Sequence, residues 1–217
     1  MGIFDFLKQN KQINADIEPD LPHPFGYKCG WYAIKGETPE SVIRKLDLKV
    51  ISKSNWKFGF DYFLDRKKSL SHRNKIVFVS PVVKDYVLVI NIIADNDHNI
   101  VKKNALLFEN FMYFGTHRVV EYHAWAKFIS GKLMRGYSYI GDQGEVSWCE
   151  GSLTPDETAL SFDRFAKTTE ETLGDDFDYD NLPNEEDVMD IAKAWSVDTS
   201  FEDGGYKKGV GFICEWK

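Results

Sequence analysis

The sequence is poor in cysteine: Cys29, Cys149 and Cys214 lie far apart in 217 residues, with no paired CxxC spacing. That removes a disulfide framework and a zinc knuckle from consideration and leaves three thiols expected to be reduced and partly buried. Long apolar runs are also missing. The longest nearly uninterrupted one, Tyr86 to Ala94, stops far short of the roughly 20 residues a helix needs to cross a bilayer. The opening MGIFDFLKQNKQ lacks the basic start, long apolar core and small-residue cleavage site of a secretory signal, so a cytosolic chain is expected. Phe6 stands where a myristoylation motif requires Ser or Thr, which discounts Gly2 as a lipid site. No internal repeat, low-complexity tract or Pro/Gly/Ser linker divides the chain. The expected organisation is an irregular lead-in over residues 1–27, ending at Pro22 and Pro24, followed by a single domain over 28–217.

What is present is apolar material and an uneven charge. A chain of this length that is 43% hydrophobic and 15% aromatic can bury one sizeable core. The formal charge of −7 argues against nucleic-acid binding, which draws its affinity from Lys and Arg neutralising phosphates. The average hides a polarity. Arg44 to Lys75 holds ten Lys/Arg against three Asp/Glu, whereas Asp156 to Asp190 holds thirteen acids against two bases. Kept apart by the fold, two such stretches set up a directional field that steers a charged partner.

Helix starts are marked by caps. Thr38 and Pro39 open a short helix carrying Val42, Ile43 and Leu46; Thr154, Pro155 and Glu157 form a capping box with proline at the first helical position. Asn184 precedes three acids and a stripe of Val188, Ile191, Ala192 and Trp195, an amphipathic helix. A fourth helix is expected from about Asn99 to Phe111. Gly30–Ile34, Lys57–Phe63, Lys75–Val79, Tyr86–Ile93 and Val210–Trp216 read as strands. In VVEYHAWAKFISGKLMRGYSYI, Ser130 and Gly131 supply a hairpin turn that would set Phe128 opposite Leu133, Ala124 opposite Tyr137, and Trp125 over the bare Gly136. The expected fold class is α+β, a largely antiparallel sheet with three or four short helices.

Three polar constellations bear on function. His117, Glu121 and His123 would share one face of the first hairpin strand, and two imidazoles with a carboxylate are a known zinc or iron ligand set. Asp176, Asp178, Asp180 and Asp187 fall at the first, third, fifth and twelfth positions of a calcium loop. Asn181, however, replaces the turn glycine and Asp187 the bidentate Glu, so a solvated acidic loop capping the next helix is the preferred reading. The same loop alternates Phe177 and Tyr179 with its acids, which places aromatic anchors in a negative field. GGYKKGVG, from Gly204 to Gly211, lacks the ending of a phosphate loop and reads as a turn; Cys149 reads as a core thiol.

The acidic chain beginning MGIFDFLK, with Trp31, Trp56, Trp125, Trp148, Trp195 and Trp216 dispersed along it and no assembled catalytic motif, resembles bacterial immunity proteins that neutralise toxins delivered between cells. The resemblance implies a cytosolic inhibitor that blocks a toxin by binding it, without a cofactor or chemistry of its own. The expectation is a non-enzymatic protein-binding domain whose Asp176, Asp178, Tyr179, Asp180, Glu185 and Glu186 meet a basic protein partner. The alternative is a metal-dependent enzyme using His117, Glu121 and His123.

Overall fold

The computed structural model describes residues 16–65, 67–92, 98–141, 145–159 and 183–217. In chain order these form strand β1 (Gly30–Lys35), helix α1 (Pro39–Lys45), β2 (Leu48–Ser54), α2 (Trp56–Leu64), α3 (Leu70–Arg73), β3 (Ile76–Val79), β4 (Tyr86–Ile90), α4 (His98–Ala105) and β5 (Asn110–His117). There follow β6 (Tyr122–Ile129), β7 (Lys132–Ile140), β8 (Glu145–Glu150), α5 (Pro155–Ala159), α6 (Glu185–Trp195) and β9 (Gly211–Trp216). All nine strands join one sheet in the order β2-β9-β3-β4-β1-β5-β6-β7-β8, and each neighbouring pair is antiparallel.

This corrects the expected α+β class with three or four short helices. A single large sheet dominates, and six helices are found among the described residues. Part of the difference is one misread segment. Lys57–Phe63 is not a strand but lies within α2, where Trp56, Gly59, Phe60 and Phe63 are buried at helical spacing. Its start is fixed by the Asn55 side chain, which accepts the Phe58 N–H at 2.9 Å. The Asp20 carboxylate accepts the N–H groups of Trp56 and Lys57 at 2.7 and 2.9 Å, tying the lead-in to the positive end of this helix. Aromatic residues favour strands only as a class average; the capping groups and the spacing prevail here. The fourth expected helix stops at Ala105, and Asn110–His117 becomes β5, with Phe111 paired to Ile34 on one side and Phe128 on the other.

Both faces of the sheet are covered. Trp56, Phe60 and Phe63 of α2, with Val188, Ile191 and Trp195 of α6, share a core with Trp31, Phe78, Leu88, Phe114 and Trp125. On the other face Val42 and Ile43 of α1 and Val101 and Ala105 of α4 join Tyr32, Val77, Val87, Tyr113 and Phe128. Strands buried on two sides carry continuous apolar runs, and every residue of IVFV in β3 and YVLVI in β4 is buried. Each such side chain contributes roughly 1.5–3 kcal/mol on leaving water.

The β6–β7 hairpin turns at Ser130 and Gly131, both at positive φ (49° and 70°). Its register departs from the expected one. A bulge lets Phe128 pair with Leu133 while Lys127 pairs with Arg135, and beyond it Trp125 pairs with Tyr137, Ala124 with Ser138 and Tyr122 with Ile140. Trp125 therefore stacks on Tyr137, ring centroids 4.8 Å apart. The ring over Gly136 is instead Trp148 of β8, so close that a Cβ at Gly136 would fall 2.4 Å from it. No helix among the described residues is long and apolar enough to cross a membrane.

Candidate functional site

His117, Glu121 and His123 are separated by a reversal of the chain. His117 ends β5, residues 118–121 turn, and His123 lies in β6, where it pairs with Thr116. His117 pairs with Tyr122, whose neighbours are the core residues of the α1/α4 face, whereas His123 is in phase with Trp125, which belongs to the α2/α6 face. The two imidazoles thus lie on opposite faces. Glu121 occupies the turn at φ 49° with its side chain against Gly141, and is exposed, as is His117. Among the described residues no group of three His, Cys, Asp or Glu side chains is placed to hold a metal ion.

His123 joins a different expected residue. It is 5% exposed, and its Nδ1 is buried without a hydrogen-bond partner. Burial pushes its pKa down to about 4, against the pull of the Glu185 carboxylate. Glu185 sits in the first turn of α6, where the helix dipole favours an acid. Its Oε2 accepts from Arg118 Nε and Nη2 at 3.1 and 2.7 Å, while its Oε1 is buried and unpaired. Arg118 comes from the β5–β6 turn and also stands over the Tyr27 ring. Glu185, at 13% side-chain exposure, is thus engaged within the domain; Glu186 beside it is exposed.

The expected partner residues Asp176, Asp178, Tyr179 and Asp180 lie outside the described residues. Asp187, the last position of the calcium-loop spacing, accepts the Asn184 N–H at 2.8 Å while the Asn184 side chain accepts from Glu186 and Asp187, so this carboxylate serves the α6 cap.

The acidic character continues past the segment read from sequence. A groove of about 550 Å³ lies between the lead-in, α6 and the loop that follows it, and Asp190, Asp198, Glu202 and Asp203 line it against the single cation Lys193. Phe25, the 54%-exposed Tyr27 and Met189 supply its apolar part. The lead-in reaches this position because Phe25 N–H bonds the Thr199 carbonyl at 3.2 Å and because Gly26, at φ 131°, leaves room for Met189. Asp198 bonds Ser200 and Lys193. Burial works against its ionisation, but these bonds outweigh it and hold its carboxyl below the usual carboxylate range. Lys84 and Tyr206 do the same for Asp203. Asp190 and Glu202 have no side-chain hydrogen bond or ion pair among the described residues. The groove therefore gathers four carboxyl groups around Tyr27 and Phe25.

Sequence reading missed these residues because the groove joins segments more than 150 positions apart. The available signal was the acid pair Glu202 and Asp203 beside Phe201, just ahead of the turn read over Gly204 to Gly211.

Comparison with protein-family models, with curated proteins and with solved structures gives no match.

Proposed function

We propose that the protein is a non-enzymatic, cytoplasmic protein-binding domain that inhibits a basic partner, as an immunity protein against an intercellular toxin. The observation that supports this reading is the acidic groove: four carboxylates around Tyr27 and Phe25, flanked by the exposed Glu186 of α6. Acids around the exposed Tyr27 ring and the half-buried Phe25 suit a partner that offers Lys or Arg, since charge sets encounter and orientation while the rings supply desolvated contact. The sequence segment Asp176–Asp180 adds acids immediately before α6 in the chain. The reversed-sign stretch Arg44–Lys75 gives the partner's approach a preferred direction.

The test is affinity capture of the tagged protein from its native cells at low and high salt, with bound proteins identified by mass spectrometry. One stoichiometric basic partner, released by salt, is expected. Replacing Asp190→Lys and Glu202→Lys together should then weaken that partner by at least about tenfold, chiefly through slower association. An affinity unchanged by the double replacement overturns the reading.

A further inference from the structure

A second cavity, of about 370 Å³, opens at the end of the sheet where β1 starts and β5 stops; it shares no residue with the acidic groove. Its inner wall is Tyr113 and Tyr122, whose hydroxyls lie 3.2 Å apart, with Gly115 between them in sequence. A Cβ at Gly115 would stand 2.5 Å from the Tyr113 hydroxyl, so the wall has its shape because that position lacks a side chain. Phe63, Leu64 and Leu70, from α2 and α3, form an apolar side, and Leu64 and Leu70 are 58% and 64% exposed.

The basic side chains that line it are Lys28 and Arg73, with the His117 imidazole beside them, and no acid is among the described lining residues. In a chain of net charge −7 that is a local inversion of sign. Arg73 is held in place from behind. Asn91 Nδ2 donates to the Arg73 carbonyl at 3.0 Å and to the Ile76 carbonyl at 2.7 Å, fixing the end of α3 against β4. The Arg73 Nε is buried with no hydrogen-bond partner, and neither Arg73 nor Lys28 forms an ion pair among the described residues. A buried guanidinium N–H left unbonded is costly, and an anion is the partner that best satisfies it. Nothing titratable in the wall cancels the positive charge at neutral pH: burial pushes the Cys29 thiol up to about 12 and raises both tyrosine hydroxyls.

We propose that this cavity binds a small organic anion, with a carboxylate or phosphate head against Arg73 and Lys28 and an apolar body against Phe63, Leu64 and Leu70. The volume lies within the usual range for small-molecule pockets, and the pairing of one apolar wall with few convergent polar groups is their common design. A guanidinium takes either oxyanion through paired N–H groups, so the geometry defines the chemistry of the head and leaves its source to experiment.

The experiment is a titration of the full chain with phenyl phosphate, benzoate, inorganic phosphate and the neutral benzyl alcohol, followed by amide NMR at Gly30, Asn91 and Gly115. Saturable shifts at these amides are expected with phenyl phosphate or benzoate; the stronger of the two identifies the head. Inorganic phosphate should shift the same amides more weakly, and benzyl alcohol should not saturate. Arg73→Gln should weaken the organic anion by about tenfold or more with an unchanged melting temperature. Lys28→Gln, at an exposed position, provides a second variant should Arg73→Gln destabilise the fold. Absence of saturation with every anion overturns the proposal. So does benzyl alcohol binding as tightly as phenyl phosphate, or an affinity indifferent to both replacements. None of these outcomes bears on the acidic groove, whose readout is a protein partner.

Discussion

Two arginine–glutamate pairs occur at opposite extremes of burial. Arg135 and Glu157 have side-chain exposures of 1% and 0% and meet at 2.9 Å. Glu157 Oε1 also accepts the Trp125 indole N–H at 2.8 Å, and its Oε2 accepts the Thr154 N–H and hydroxyl at 2.7 and 2.9 Å. The pair thereby locks the α5 cap onto β6 and β7. Arg118 and Glu185 have exposures of 57% and 13%, both arginine contacts fall on one oxygen, and the other oxygen is buried without a partner. The contrast is between a buried pair whose carboxylate has both oxygens engaged and a pair whose arginine reaches water, which screens the attraction, while one carboxylate oxygen stays buried and unfilled.

The largest effect should come from breaking the buried pair. Glu157→Ala removes the carboxylate that accepts from Arg135, the Trp125 indole and Thr154, and a loss of about 3–5 kcal/mol is expected in urea unfolding. A double replacement, Arg135→Met with Glu157→Leu, should lose less than the sum of the single changes, since neither charge is then stranded. Equal additivity would show that the two groups are not coupled and would remove the basis of the contrast.

Next in size is the pH response of the rim. Folding holds His123 at about 4 against an ordinary 6.5, so between these values the unfolded chain binds the additional proton. Stability is then full above about pH 6.5 and falls as pH drops toward 4, by up to about 3 kcal/mol, with no further loss from this group below that. Unfolding midpoints measured across this window should show the slope in the parent and a flatter profile in His123→Phe. The smallest effect belongs to Arg118→Gln, which should lower the urea midpoint only slightly, with the difference erased by high salt. A loss as large as that of Glu157→Ala would make the two pairs equivalent.

The elements legible in the sequence were those whose signal is local. Thr38, Thr154 and Asn184 each cap a helix that begins at the next residue, and a side-chain oxygen that accepts the N–H three positions on needs no tertiary information. The α2 segment was misread because its aromatic density suits either period, and the acceptor that holds its start, Asp20, lies 36 residues upstream of Trp56. The hairpin turn was visible in Ser130–Gly131, but the bulge that shifts its register was not, since it depends on how β7 fits between β6 and β8. The same holds for the candidate sites. Alternation along a continuous strand places His117, Glu121 and His123 on one face; the turn at 118–121 breaks that alternation and hands His123 to Glu185, 62 positions away.

The position of β9 has a consequence for the order of synthesis. This strand lies between β2 and β3 and, among the described strands, is the only one to which β2 is bonded. A ribosome delivers β2 and β3 long before residues 211–216, so the nascent chain must hold both strands with a missing neighbour until those residues emerge. A product truncated before Gly211 would leave β2 without its β9 neighbour and one edge of the apolar β3 bare, the kind of template on which chains stick to one another. Closure of the sheet therefore waits on the synthesis of residues 211–216.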